Sequence, residues 1–199
     1  MTGNERPPQP RRSFIDHAAE QEALECIRRG RPEEALKLLM RAYGGPITAF
    51  AQRMLHHSEA AKDVRQQVFL DALRGVGKFE GRSSLWSWLC GIAYHRCLDE
   101  RRRMLRTDDV DGFDGSDRFF GQPDPMMDAD RIAGQRALER CLGKLPEAMR
   151  AQVLMRYLLD LSYVEIGEIV GSSHGTVQVR IARILPRLRR CLRGEGVGR

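Results

Sequence analysis

Long hydrophobic runs are missing from this sequence, and nothing in its 199 residues approaches a membrane span in length. The opening "MTGNERPPQPRRS" has charges but no apolar core behind them, so it is read as a disordered tail, residues 1–18, and not as a secretory signal. These absences predict a cytoplasmic protein without membrane insertion. Cysteine is scarce too. Cys26, Cys90, Cys97, Cys141 and Cys191 are odd in number and scattered with no CxxC pair, which predicts reduced thiols and no disulfide framework. Cys90, His95 and Cys97 match no common zinc spacing, so no metal is expected. A calcium loop starting at Asp109 fails as well, with Asp114 where Gly is needed and Phe120 where Glu is needed. A Gly-rich phosphate loop, paired catalytic carboxylates and a nucleophile with its partners are all absent, so the chain is read as a non-enzyme with no catalytic residues and no cofactor.

Charge is what the sequence has. The net charge is +6, but residues 107–130 hold eight Asp and a single basic residue, Arg118, for a sum of −7. The rest of the chain therefore carries +13, and a basic body around an acidic segment points to a polyanionic partner.

Alternation of the strand type is lacking, while helical spacing recurs. Leu36, Leu39 and Tyr43, then Ile47, Phe50 and Met54, predict two helices broken at "GGP", Gly44 to Pro46. Val64, Val68, Phe69, Ala72, Leu73 and Val76 form a further stripe. Ser83 or Ser84 is placed to cap a helix whose inner side holds Leu85, Trp88, Leu89, Ile92, Ala93 and Arg96. Residues 19–106 thus read as one helical domain, and 107–129, rich in Asp, Gly and Pro, as an acidic flexible linker.

Residues 130–193 read as a second helical domain, followed by a tail at 194–199. Pro146 stands at a helix start, and Ser162 and Glu165 are in capping-box register. Gly171 closes that helix and Ser173 caps the next, which carries Val177, Ile181, Ile184 and Leu188 on its inner side. A short helix, a Gly-containing turn and a basic helix make a helix-turn-helix. Projection at about 100° per residue gathers Thr176, Arg180, Arg183 and Arg187 opposite the inner stripe, facing a DNA groove. Pro186 removes one helical N–H, so this helix is expected to kink or end near it.

Both domains resemble one family. The stretch from "EALKLLMRAYGGP" through "KDVRQQVFL" and "FEGRSSLWSWLCGIAYHRCLDERRR" is similar to region 2 of bacterial RNA polymerase sigma factors of the extracytoplasmic-function type. "CLGKLPEAMRAQVLMRYLLDLSYVEIGEIVGSSHGTVQVRIARILPRLRR" is similar to their region 4. The resemblance implies an all-α fold of two domains and an alternative sigma factor. Such a factor binds core RNA polymerase, recognises the −35 and −10 promoter elements and helps open the DNA. It implies polymerase docking by Asp63, Gln66, Gln67 and Phe69, and −10 contact and melting by Arg82, Ser83, Trp86, His95, Arg96, Arg101, Arg102 and Arg103. It further implies −35 reading by Ser173, His174, Thr176, Gln178, Val179, Arg180, Arg183 and Arg187, and an anti-sigma protein as a partner. Gln67, His95 and Val179 depart from the residues common in the family at their positions. A stand-alone helix-turn-helix regulator with a ligand-binding or dimerising first domain is the competing class, and such a regulator does not require the stretch "FEGRSSLWSWL" with its following basic segment.

The two tryptophans divide on this reading. Trp88 shares the inner side with Leu85, Leu89 and Ile92 and is expected in the core. Trp86 falls off that stripe beside Cys90 and Tyr94, and either stacks on an unpaired base or packs on a neighbouring helix or the linker.

Overall fold

The computed structural model describes residues 16–111 and 129–197. The expected N-terminal tail up to residue 15, the linker from 112 to 128 with its calcium-loop reading, and the last two residues lie outside the described residues. Within them the chain is helical and no strand occurs.

The first domain contains α1 (His17–Arg28), α2 (Pro32–Leu55), α3 (Ser58–Gly75), a 3-10 turn (Val76–Lys78) and the start of α4 (Leu85–Asp111). Asp16 caps α1 by accepting from Ala19 N at 3.0 Å. The expected break at Gly44–Pro46 does not occur, because α2 runs straight through Pro46. Leu39, Tyr43, Ile47, Phe50 and Met54 lie on one fully buried side of it. Keeping that stripe continuous outweighs the one backbone hydrogen bond a proline removes. In α3 the stripe Val64, Val68, Phe69 and Ala72 is buried as expected. Ser84 starts α4, its Oγ accepting from Ser87 N at 3.0 Å. α4 continues to Asp111, five residues into the expected linker.

The second domain comprises α5 (Ala129–Gly143), α6 (Glu147–Tyr157), α7 (Tyr163–Val170) and α8 (His174–Gly194). Ser162 and Glu165 form the expected capping box, with Ser162 Oγ accepting from Glu165 N at 3.2 Å and Glu165 Oε2 accepting from Ser162 N at 2.8 Å. Gly171 ends α7 in the left-handed conformation at φ 67°, and Ser173 Oγ accepts from Thr176 N at 3.2 Å to cap α8. Val177, Ile181, Ile184 and Leu188 are buried along α8. The helix does not end at Pro186; it continues to Gly194.

Reduced thiols throughout were expected, but Cys141 and Cys191 are joined by a disulfide with a Cα–Cα separation of 5.9 Å. Fifty residues separate the two in sequence, and folding of the helix-turn-helix returns the end of α8 to the end of α5. Closing a loop of that length stabilises by about 4 kcal/mol on chain entropy alone. Cys26, Cys90 and Cys97 are free and buried.

The domains pack on each other, with α6 against α2 and α7 against α4. Arg150 of α6 is only 3% exposed and reaches into the first domain. Its Nη1 donates to Met54 O at 3.1 Å and to His56 Nε2 at 2.6 Å, while Nη2 donates to Gly143 O and Leu145 O. Arg53 and Glu139 pair at 3.0 Å across the same interface, both largely buried.

Candidate nucleic-acid interface

α3 presents Asp63, Gln66 and Gln67 to solvent on one side, and Phe69 to the core at 3% exposure. Phe69 therefore leaves the docking set: its position in the helix turns it toward Val68 and Ala72, away from the exposed side. The spacing 63, 66, 67 continues to Leu70, a large apolar side chain 37% exposed. Leu70 is the outer member of the i, i+3, i+4, i+7 set that begins at Asp63, and the sequence reading did not single it out.

Of the two alternatives for Trp86, the structure shows packing, while Trp88 lies against the core but is less enclosed than expected. Trp86 is fully buried, and Trp88 is half-buried. The backbone N–H of Trp86 donates to Glu20 Oε1 at 2.7 Å, its ring lies 4.6 Å from the ring of Tyr43, and its Nε1 donates to Leu159 O at 3.0 Å. The side of α4 that holds Trp86, Cys90 and Tyr94 is covered by α1, α2 and the second domain. A Cβ on Gly91, one turn further along α4, would touch Ile169 Cγ1 of α7 at 3.6 Å. Trp88 instead meets Phe79 at 5.4 Å between ring centroids and lies over Gly75, where a Cβ would come within 3.3 Å of it. Trp86 is thus a packing residue here, with no face available to a base.

Around this helix the basic residues divide by partner. Arg82 is exposed and pairs with Glu80 at 3.2 Å, Ser83 is half-buried, and His95 is exposed. Arg96 is bound by Asp71 of α3, a hydrogen bond that holds its guanidinium pKa above the ordinary arginine value. Arg101 reaches Glu147 of the second domain at 3.5 Å. Arg102 pairs with Asp99 at 3.2 Å and Arg103 with Glu100 at 2.7 Å, each one turn back on its own helix. Arg102 and Arg103 remain solvent-exposed.

In the helix-turn-helix, His174, Thr176, Gln178, Arg183 and Arg187 are exposed, and Val179 is 48% exposed. Ser173 is exposed too, but its hydroxyl is committed to the cap and lies 2.8 Å from Thr176 Oγ1. Arg180 is half-buried and donates from Nη1 to Ser172 Oγ at 3.3 Å, tying the helix to the turn. The outward arginine side expected from helical projection is present. Its opposite stripe fills the domain core, and Arg189, Arg190 and Arg193 extend the positive surface beyond Pro186.

Gly167 also belongs to the site, although motif reading passed over it. A Cβ there would sit 2.5 Å from Ser172 O and 3.3 Å from His174 N. The turn can fold back on α7 closely enough to present α8 only because that atom is missing.

Comparison with known proteins agrees with this geometry. Residues 39–107 match Sigma-70 region 2 and residues 135–188 match Sigma-70, region 4. The chain is 31% identical to the RNA polymerase sigma factor YlaC of Bacillus subtilis (strain 168) over 153 residues, spanning 75% of this chain and 87% of that one. It is 27% identical to the ECF RNA polymerase sigma-E factor of Escherichia coli (strain K12) over 178 residues, covering 84% and 91%. In fold it is similar to the sigma factor RpoE of Bartonella quintana, solved in complex with the anti-sigma factor NepR, with a TM-score of 0.68 at 22% identity, covering 84% of this chain and 98% of that one. It is also similar to CnrH, solved with the cytosolic domain of CnrY, with a TM-score of 0.64 at 20% identity over 88% and 98%. With both DNA-facing domains matched in order, the chain belongs to the RNA polymerase sigma factor family, in its extracytoplasmic-function branch.

Proposed function

We propose that the protein is an alternative sigma factor, working in the cytoplasm, that docks on core RNA polymerase and directs it to promoters. The observation that carries this is the pairing of a capped, arginine-faced helix-turn-helix with a separate region 2 domain whose exposed side contains Asp63, Gln66, Gln67 and Leu70. A stand-alone regulator needs no such second surface.

In this reading Asp63, Gln66 and Gln67 contact polymerase. Arg82, Ser83, His95, Arg96 and Arg101 to Arg103 act at the −10 element, and Ser173, His174, Thr176, Gln178, Val179, Arg180, Arg183 and Arg187 at the −35 element. Arg183 and Arg187, exposed on the outward side, meet base edges or phosphates, and Ser173 sets the N-terminus of the reading helix. An anti-sigma protein is the expected regulator, by likeness to the complex of RpoE with the anti-sigma factor NepR.

Run-off transcription tests the reading. Core polymerase supplemented with this protein is expected to start at discrete sites from a host promoter library, with neither component active alone. Tight binding of the isolated protein to a palindromic duplex, with no polymerase-dependent initiation, overturns it.

A further inference from the structure

The Cys141–Cys191 bond lies at the end of α8, the helix that carries the exposed arginines. Cys141 is 1% exposed on the last turn of α5, whereas Cys191 is only half-buried on the last turn of α8. Lys144 Nζ lies 3.9 Å from Cys191 Sγ and 3.4 Å from Glu195 Oε1. Glu195 is held on its other side by Arg140, with Oε2 accepting at 2.6 and 2.8 Å. A shallow cleft of about 480 Å³, lined by Ile132, Ala133, Arg136, Arg140 and Glu195, opens beside the pair. Glu195 brings a carboxylate oxygen within 4.8 Å of both sulfurs, so the bond stands at the edge of that cleft.

The position in α8 gives the bond a mechanical role. Pro186 removes the N–H that would bond Ala182 O, so the last two turns are joined to the first half of the helix by one backbone bond fewer. They are anchored by Leu188, 9% exposed, by the partly buried Leu192, by the disulfide, and by the Glu195 pairs to Arg140 and Lys144. Among these the disulfide is the one covalent tie. The exposed Arg187, Arg189, Arg190 and Arg193 ride on this segment.

We propose that Cys141 and Cys191 form a reversible thiol–disulfide site, exchanging with low-molecular-weight thiols and disulfides through Cys191, which sets how firmly the α8 segment beyond Pro186 is held. Cytoplasmic disulfides are rarely structural, and where they persist they are usually transient or sensing, so this assignment rests on the compartment given by the sigma-factor reading. Cys191 is the exchanging sulfur because it is the accessible one. Both sulfurs hang from helix C-termini, whose dipoles disfavour a thiolate, and the Lys144 ammonium opposes that effect at Cys191. On oxidation the Cys191 thiolate attacks an external disulfide and expels one thiolate, which takes up a proton. Cys141, deprotonating, then displaces the second external thiol from the mixed disulfide. Two protein thiols lose two electrons and two protons while one external disulfide becomes two thiols. Reduction runs the same steps backwards.

The test uses the full chain equilibrated at pH 7 in a series of reduced-to-oxidised glutathione ratios, quenched with a maleimide and mapped by mass spectrometry. Cys141 and Cys191 are expected to interconvert together inside the series, with Cys26, Cys90 and Cys97 unlabelled in the native protein. In the reduced protein Lys144→Gln, an exposed change that keeps the fold, is expected to slow Cys191 alkylation about fivefold, and Lys144→Arg to restore it. Hydrogen exchange of amides 187–194 is expected to quicken about tenfold on reduction while α7 is unchanged. A pair that stays oxidised at every ratio, a pair that never forms, Lys144→Gln without effect, or equal exchange in both states overturns the proposal. None of these readouts involves polymerase or DNA, so failure here is distinct from failure of the sigma-factor reading.

Discussion

The indole Nε1 of Trp86 donates a 3.0 Å hydrogen bond to the backbone carbonyl of Leu159, 73 residues along the chain and in the other domain. Trp86 thus belongs to both cores, with Tyr43 on one side and the α6–α7 connection on the other. Any arrangement that spreads the two domains along promoter DNA must break this bond and expose the ring. Trp86→Phe retains the packing against Tyr43 and loses the hydrogen bond, which costs about 0.5–1.5 kcal/mol. Small-angle scattering is expected to show a larger radius of gyration for Trp86→Phe with the helix content unchanged. Trp86→Ala, a core truncation, is expected to lose about 3–5 kcal/mol, and Trp88→Ala, at a half-buried site, clearly less. Equal melting temperatures for the two alanine variants would contradict this assignment.

A second contact between the domains makes the packing sensitive to acid. His56, the left-handed C-cap of α2, accepts from Arg150 at its Nε2, so the ring is neutral there. Burial, then the nearby Arg150 and Arg101 guanidinium groups, push its pKa down to about 4. The folded value lies below the unfolded one of about 6.5, so the unfolded chain takes up a proton first and stability falls as pH drops from 6.5 toward 4. By pH 5 the loss attributable to His56 is about 2 kcal/mol. His56→Asn accepts the same left-handed backbone and does not titrate, so its melting temperature is expected to be flatter between pH 6.5 and 5. A wild-type profile as flat as that of His56→Asn would remove His56 as the cause.

The docking surface gives a pair of opposite expectations on one helix. Asp63→Arg and Leu70→Ser alter exposed side chains and are expected to weaken core polymerase binding about tenfold or more, with thermal melting unchanged. Phe69→Ala, at 3% exposure, is expected to lower stability by about 3–5 kcal/mol. Its effect on polymerase binding then follows from unfolding. Circular dichroism beside a polymerase pull-down separates the two classes.

What the sequence disclosed depended on how local the cause was. The Ser162–Glu165 box, Gly171, the Ser173 cap and the inner stripe of α8 are decided within a few residues, and all four stand as read. Pro46 was misread because a local rule predicted a break, while the buried side from Leu39 to Met54 favoured one continuous helix. Trp86 and Cys141–Cys191 depend on contacts 73 and 50 residues apart, which no window of periodicity contains. Helical projection placed Trp86 off the stripe correctly as geometry. It had no means of showing that a second domain lies there.

The helix-turn-helix offers a separation of shape from contact. Gly167→Ala places a Cβ 2.5 Å from Ser172 O, a backbone atom that cannot swing aside, so α7 and the turn must part. Overpacking of this kind costs about 1–3 kcal/mol and tilts α8 away from the orientation its cap defines. Arg183→Ala removes an exposed side chain and leaves the turn, the Arg180–Ser172 bond and the core untouched. Both variants are therefore expected to weaken −35 recognition by the polymerase holoenzyme, by different routes. Arg183→Ala is expected to keep the wild-type melting temperature and lose about 1–3 kcal/mol of promoter binding, with a smaller salt slope if its contact is to phosphate or relaxed sequence preference if to a base edge. Gly167→Ala is expected to melt earlier, and its promoter defect should persist at low salt, where the summed positive charge of α8 is strongest. Footprinting on promoters with intact and scrambled −35 elements reads the difference. If Gly167→Ala melts and binds as wild type does, the close approach of the turn to α7 is not what orients the reading helix.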